Sequence, residues 1–102
     1  MTVKLVVLYT QPEDKAAFDE HYLGTHVPLV DKVPGLLKNE TGKFVAALDG
    51  GEKTYYRTAS LYFADNEAMQ AALGSPEGGA TAADYAAIAP PGSRMFIEVI
   101  DD

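Results

Sequence analysis

Four stretches of branched and aromatic residues predict strands, and two stretches with apolar residues at helical spacing predict helical regions. Val3 to Tyr9 is apolar at all but one position and predicts the first strand. A strand of this kind is expected to be covered on both of its faces. The first helix is predicted to begin at Pro12, with two acids in its positive first turn, and to run toward His26. Pro28 and then Pro34-Gly35 are expected to stop it.

The middle of the chain predicts two strands joined by a turn. Leu36 to Leu48 is the second predicted strand, with a bulge or bend at Gly42, and Thr54 to Phe63 is the third. The residues between them, Asp49-Gly50-Gly51-Glu52, are typical of a turn. These two strands are therefore expected to form a hairpin.

Helix-capping residues mark the beginning of the last third of the chain. Asp65 or Asn66 is expected to cap a second helix, which closes at Gly74. Ser75-Pro76-Glu77 restarts the helix by the same capping chemistry, and the alanine-rich stretch that follows continues it. Arg94 to Ile100 predicts the fourth strand.

The order strand, helix, strand, strand, helix, strand is that of the ferredoxin-like βαββαβ fold. Right-handed crossovers would place both helices on the same face of one four-stranded antiparallel sheet. The predicted fold class is therefore α+β, in a single domain that spans residues 1–102.

Two helices cover only one face of such a sheet, while the first and last predicted strands are apolar on both faces. Monomers rarely expose a large apolar patch. We therefore expect a homodimer in which two sheets pack against each other. The alternative is a monomer with a half-exposed apolar sheet.

Composition and charge exclude several classes of function. With 15 acidic and 8 basic residues the net charge is −7, which argues against capture of nucleic acid or of an anionic membrane surface. The chain contains no cysteine, so thiolate metal sites and cysteine nucleophiles are excluded. No motif for a nucleotide or flavin cofactor is present, and no cofactor is expected. The apolar N-terminus lacks a basic leader, which favours a cytoplasmic location.

Two histidines are the first candidates for chemistry. His21 and His26 are five residues apart, about 140° around an α-helix, so they are not expected to share a face, and a metal site is not favoured. Tyr22 lies four residues before His26 and shares the core-facing stripe with it. His26 would lie at the helix end, where it could act as a general acid or base beside a cavity. The structural alternative is a histidine that bonds a carbonyl and closes the helix end.

Six tyrosines are many for a short chain without tryptophan. Those that face the helices, with Tyr55 and Tyr62 as candidates, would give a pocket an apolar wall with hydroxyl groups, suited to a small apolar or aromatic ligand. Packing in the core or at an interface is the alternative for each tyrosine. Arg57 and Arg94 are candidate anchors for an anionic group, or exposed charges on strands.

Two stretches resemble signature motifs of the EthD family. The first is Phe18-x-x-x-Tyr22-x-x-x-His26-x-Pro28-Leu29 followed by Pro34-Gly35-Leu36, and the second is Ser75-Pro76-Glu77-Gly78 followed by Ala83-Asp84. The resemblance implies a dimeric α+β barrel of ferredoxin-like subunits. It places the family's recurrent histidine on His26, its aromatic partner on Tyr22 and its helix acid on Asp84. Asp84 and Phe18 are further candidate ligand-contacting residues. It differs from the family at His21, where an aromatic residue is more usual.

The resemblance implies small-molecule metabolism of the ether, aromatic or polyketide type. In one interpretation the protein is a cofactor-independent enzyme, with His26 moving a proton and Tyr22 orienting the ligand. In the second it is a non-catalytic binding or accessory protein that supports a partner oxygenase. A third, narrower hypothesis is haem binding with His26 as axial ligand.

Overall fold

The computed structural model describes residues 1–102, and it contains a four-stranded antiparallel sheet with its helices packed against one face. The strands are β1 (Val3–Thr10), β2 (Lys38–Lys43), β3 (Tyr55–Phe63) and β4 (Arg94–Val99). Their spatial order is β2-β3-β1-β4, so the first and third strands form the centre of the sheet. The predicted ferredoxin-like βαββαβ fold is confirmed.

Each of the two predicted helical regions is divided into segments. The first consists of α1 (Lys15–His21), a π-helical turn (Tyr22–His26) and α2 (Val27–Asp31). The second consists of α3 (Asn66–Leu73) and α4 (Pro76–Ile88), which meet at Gly74-Ser75. None of these helices combines the length and the apolar character that crossing a membrane requires.

The predicted start of the first helical region is wrong, and so is the first of its two predicted stop signals. The helix begins at Lys15 rather than Pro12, because the carboxylate of Asp14 accepts a hydrogen bond from the Ala17 backbone N–H at 3.0 Å and caps the first turn. Pro28 does not stop the helix, which continues to Asp31. Since Pro28 lies in the first turn of α2, directly after the π-helical turn, its missing N–H costs no regular helical hydrogen bond.

The predicted bulge at Gly42 is also wrong. β2 is shorter than predicted, and its register with β3 is continuous, with Gly42 opposite Thr58. An irregularity occurs instead where β1 meets β3, because Tyr9 lies opposite Arg57 while Thr10 lies opposite Tyr55. Tyr56 is therefore the additional residue of a β-bulge.

The core lies between the helices and the sheet. Its most completely buried large side chains are Tyr9, Tyr22, Phe63 and Met69. In contrast, every residue of β4 is exposed, and Met95 and Ile97 are each more than half exposed. The helical layer therefore covers the sheet up to β1 but leaves the apolar side chains of β4 accessible.

The second face of the sheet has no helix over it. Val6 and Phe96 are cross-strand neighbours on this face, and Leu8 lies opposite Arg94 on the next row. On the opposite side of the Val6–Phe96 pair, Lys4 and Glu98 lie across from each other and form an ion pair with an N–O distance of 3.0 Å. We call this surface the bare face; it is apolar at Val6, Leu8 and Phe96, and charged at its margin.

α3 and α4 approach each other closely at Gly78. The hydroxyl of Ser75 accepts a hydrogen bond from the Gly78 backbone N–H at 3.0 Å, which starts α4 immediately after α3 has ended. A Cβ atom at position 78 would overlap the carbonyl oxygen of Ala72 and lie 2.9 Å from that of Leu73. This contact therefore requires glycine.

We expect Gly78→Ala to lower the free energy of unfolding by about 1–3 kcal/mol, because the added methyl group must push α4 away from α3. Gly79→Ala is the matched control, since a Cβ at position 79 meets no atom within 4 Å. The control should be stabilising by roughly 0.5–1 kcal/mol through helix propensity. Urea unfolding of both variants checks this, and equal effects would contradict it.

Candidate functional site

Asp84 brings the two histidines together. Its Oδ1 lies 2.8 Å from His21 Nε2, and its Oδ2 lies 2.8 Å from His26 Nδ1. The expectation that the histidines lie on different faces is wrong, because Tyr22–His26 forms a π-helical turn in which the Val27 N–H bonds the Tyr22 carbonyl. Residues five apart come round to the same side in such a turn, which is closed by i→i+5 hydrogen bonds.

The Asp84 carboxyl group is held in its ionised form. Burial by itself would raise its pKa, but the hydrogen bonds from His21 and His26 have the larger combined effect and hold the pKa below its usual value. Because an ionised carboxylate only accepts hydrogen bonds, the Nδ1 of His26 carries the proton. In the neutral ring, Nε2 is then the nitrogen that accepts hydrogen bonds, which is the position required of a general base.

Tyr9 lies at this Nε2 atom. Its hydroxyl oxygen is 3.4 Å from His26 Nε2, a long hydrogen bond that the tyrosine donates. Burial raises the pKa of Tyr9 far above its ordinary value, and burial, opposed by the nearby Arg57 cation, raises the pKa of Tyr22 to about 12. Both phenols therefore keep their protons at neutral pH and are able to donate a hydrogen bond.

Three rings on successive turns form a stack that fixes the orientation of His26. Phe18 and Tyr22 are stacked with centroids 5.7 Å apart, and Tyr22 and His26 are stacked at 5.6 Å. Tyr9 contacts the stack edge-on, 5.3 Å from the Tyr22 ring. His26 is only 5 % exposed, so its ring has little freedom to turn. It does not lie at the end of a helix, as expected, but at the junction with α2.

The Tyr22 ring of this stack also contacts a second charged group, the guanidinium of Arg57. The guanidinium carbon of Arg57 lies 5.2 Å from the centroid of the Tyr22 ring, and Arg57 Nε donates to Asp19 Oδ1 at 2.8 Å. The other carboxylate oxygen of Asp19 accepts a hydrogen bond of 2.6 Å from the Tyr56 hydroxyl. The β-bulge explains why the consecutive residues Tyr56 and Arg57 reach the same carboxylate. Arg57 is therefore a buried ion-pair partner rather than an exposed strand charge.

A cavity of about 330 Å³ lies beside His26, between the helices and the sheet. Of the 19 residues that line it, 15 are hydrophobic. The exceptions are His26, Asn39, Gly78 and Thr81. Because Met95 and Ile97 of β4 belong to the lining and are more than half exposed, the cavity opens beside β4. A mainly apolar wall with a few polar groups is typical of a small-molecule site.

The structure separates the predicted site residues into two groups. His26 and Tyr22 line the cavity, and Asp84 and Phe18 lie behind them in direct contact. Tyr55 lies at the beginning of β3, in a shallow depression beside the 44–54 loop.

Tyr62 is on the opposite face of the sheet from the cavity. Its hydroxyl contacts Glu40 at 3.4 Å, and the ammonium groups of Lys4 and Lys38 lie over its ring. The expectation that Tyr55 and Tyr62 border the same pocket as His26 is therefore wrong. The structure contains no group of three or more His, Cys, Asp or Glu side chains placed to hold a metal ion.

Sequence reasoning missed two members of this site, Tyr9 and Tyr56, and it did not predict where His21 and Arg57 lie. The role of His21 depends on the π-helical turn, for which the sequence carries no readable signal. The positions of Tyr56 and Arg57 depend on the β-bulge. Tyr9 was accessible to prediction, because it is the last apolar residue on the buried side of the first strand.

Comparison with known proteins assigns the chain to a family. A model of the EthD domain matches residues 10–91. The chain belongs to the EthD family. An EthD family protein of known structure from Bacillus halodurans is 40% identical, with a TM-score of 0.92 over 98% of this chain and 99% of that one. A relative from Rhodococcus erythropolis, described as an uncharacterized 11.0 kDa protein in the thcB–thcC intergenic region, is 41% identical over 91% of this chain and 89% of that protein.

More distant solved structures share the fold of this EthD protein. A hydroxynitrile lyase from Passiflora edulis has a TM-score of 0.80 at 10% identity, over 99% of this chain and 94% of that one. SnoaB, a cofactor-independent oxygenase from Streptomyces nogalater, has a TM-score of 0.68 at 18% identity, with the same coverage. A protein of Thermobifida fusca described as dimeric and ferredoxin-like has a TM-score of 0.73 at 15% identity, over 98% of this chain and 92% of that one.

We expect the Asp19 ion pair to stabilise the protein at neutral pH and to lose its effect in acid. Although burial would raise the pKa of Asp19, hydrogen bonds from Arg57 and Tyr56 hold it below its usual 3.8. As the pH falls, the unfolded chain binds this proton before the folded chain does. The stabilisation is therefore complete above that value and is lost below it.

Asp19→Asn should lower the free energy of unfolding by about 2 kcal/mol near neutral pH, the usual worth of hydrogen bonds to a charged group. The difference from the wild type should shrink when the pH is lowered below 3.8. Urea unfolding at both pH values checks this. Glu20→Gln, at an exposed neighbouring position, is the control and should have little effect at either pH. A deficit for Asp19→Asn that is the same at both pH values would contradict the prediction.

Proposed function

We propose that this EthD protein binds a small, mainly apolar or aromatic molecule in the cavity and that His26 transfers a proton to or from it without a cofactor. The observation that carries this proposal is the contact between Asp84 and His26 Nδ1 at 2.8 Å beside an apolar cavity. An oriented imidazole whose second nitrogen is unprotonated is the arrangement of a general base.

Each residue of the site has one task in this proposal. His26 Nε2 takes a proton from the ligand, and the Asp84 carboxylate stabilises the imidazolium that forms. Tyr22, whose phenol keeps its proton, donates a hydrogen bond to the negative charge that develops on the ligand. The apolar lining keeps water away and so strengthens both interactions.

Two features support a role in small-molecule metabolism of the ether, aromatic or polyketide type. The cavity volume of about 330 Å³ is within the range of ligand sites. Proteins of the same fold include a hydroxynitrile lyase and a cofactor-independent oxygenase, whose activities are properties of those proteins. Family membership adds the association with ether degradation that the sequence motifs imply.

A second candidate function is binding without catalysis, in support of a partner oxygenase. The observation that favours it is that both nitrogens of His26 already have partners, Asp84 at Nδ1 and Tyr9 at Nε2. A ligand must displace the 3.4 Å contact with Tyr9 before it can reach the imidazole. The two functions differ in whether His26 contributes to a reaction rate or only to affinity.

The base-catalysed ring opening of nitrobenzisoxazole distinguishes catalysis by His26 from binding without catalysis. A base removes the carbon-bound proton, the N–O bond breaks, and the electron pair leaves on oxygen as a coloured nitrophenolate, so no cofactor is needed. We expect the wild type to accelerate this reaction and His26→Gln to lower the rate by at least about 100-fold, the usual lower limit for a general base.

His21→Gln is the matched control, because His21 contacts the same carboxylate but lies outside the cavity lining. It should keep most of the rate. Binding of naphthol, followed by its fluorescence, should be similar in the wild type and both variants. Equal rates for the wild type and His26→Gln, with binding retained, would contradict the catalytic proposal and favour the second candidate.

The proposal also includes a homodimer, formed through the bare face and β4, in the cytoplasm. Phe96 on the bare face, and Met95, Ile97 and Val99 on the other side of β4, are each 41–56 % exposed. β4 is also an edge strand with unpaired backbone groups, which proteins normally protect. A second copy would cover these side chains and would narrow the opening of the cavity beside β4.

We expect the wild type to sediment at twice the 10.9 kDa of the chain at micromolar concentration. Val6→Glu should weaken the dimer at least about tenfold, because it places a charge in the apolar part of the bare face. Ala71→Glu, on the exposed surface of α3, is the control and should remain dimeric. A monomeric wild type would contradict this part of the proposal.

A further inference from the structure

Asn39 is the polar group of the cavity that the proposed reaction does not use. It lies on β2 opposite Leu61, which belongs to the buried core, so both side chains face the helical layer. Asn39 is among the residues that line the cavity, where most of its neighbours are hydrophobic. Its Oδ1 atom is buried and has no hydrogen-bond partner.

A buried carbonyl oxygen without a donor is rare in folded proteins, and such an atom calls for a partner that the chain itself does not supply. A second atom of this kind, Gln11 Oε1, belongs to a residue that does not line the cavity. The amide nitrogen of Gln11 donates to the backbone carbonyl of Lys53 at 2.9 Å and so anchors a loop outside the cavity. Asn39 has no comparable structural task.

Asn39 lies well apart from the imidazole. Asn39 is level with Leu61 in the sheet, whereas Tyr9, whose hydroxyl contacts His26, is level with Arg57. Leu61 and Arg57 are four residues apart on β3, which corresponds to about 13 Å along the strand. The cavity therefore carries two separated polar groups with an apolar surface between them.

We infer that Asn39 is a specificity-determining residue that accepts a hydrogen bond from a hydroxyl group of the ligand. The inference rests on the proposed ligand binding and adds the class of ligand: an elongated apolar molecule with one polar group at His26 and a hydroxyl at the other end. The terminal torsion of an asparagine side chain is soft, so a small rotation turns Oδ1 toward such a donor.

Two matched biphenyls test this inference. One carries a para hydroxyl on both rings, and the other carries it on one ring. We expect the wild type to bind the dihydroxy compound about tenfold more tightly, the effect of one hydrogen bond to an otherwise unpaired acceptor. Asn39→Leu should bind both compounds with nearly equal affinity, because leucine has a similar size but offers no acceptor.

Thr41→Val is the control, since Thr41 lies two residues along the same strand, is exposed and does not line the cavity. It should keep the tenfold preference. A preference that persists in Asn39→Leu would overturn the inference while leaving ligand binding intact. Failure of the wild type to bind either biphenyl would overturn the proposed binding function, and the inference with it.

Thermal unfolding without ligand gives an independent measurement. Asn39→Leu should unfold at the same temperature as the wild type or at a higher one, because it removes an unpaired buried oxygen. A clearly lower midpoint would show that Asn39 serves the fold, and would overturn its assignment to ligand recognition.

Discussion

The charge on Asp84 connects the two helical regions of the protein. Its two oxygens bond one histidine before and one at the end of the π-helical turn, and Asp84 itself belongs to α4. These contacts attach α4 to the first helical region and orient the imidazole of His26. Because a partly buried carboxylate is stable only with such partners, the same hydrogen bonds that hold the helices together also prepare the site for proton transfer.

The fold was largely predictable, because its elements follow from periodicity and from capping residues. Alternating burial along β1, and Asp65 and Ser75 as helix caps, are local signals that tertiary packing reinforces. The errors occurred where one inserted residue changes the side to which the following side chains of a helix or strand point. The π-helical turn and the β-bulge at Tyr56 each insert a residue into a regular repeat, and a pattern based on a constant period does not detect such an insertion.

The same two insertions explain which part of the site could be predicted. Phe18, Tyr22 and His26 follow each other at intervals of four, and this spacing is kept in the stack of rings. The hydrogen bond between His21 and Asp84 was not predictable in this way, because it depends on the π-helical turn that brings His21 to the same side as His26. The two strand tyrosines were misplaced for a related reason, because the face of a strand residue depends on a register that the sequence does not determine.

Gly78 has a consequence for the shape of the cavity. It both lines the cavity and lets α4 lie against the end of α3 without a spacer. Leu73 of α3 also lines the cavity, so the missing side chain at position 78 lets two consecutive helices contribute to one continuous wall.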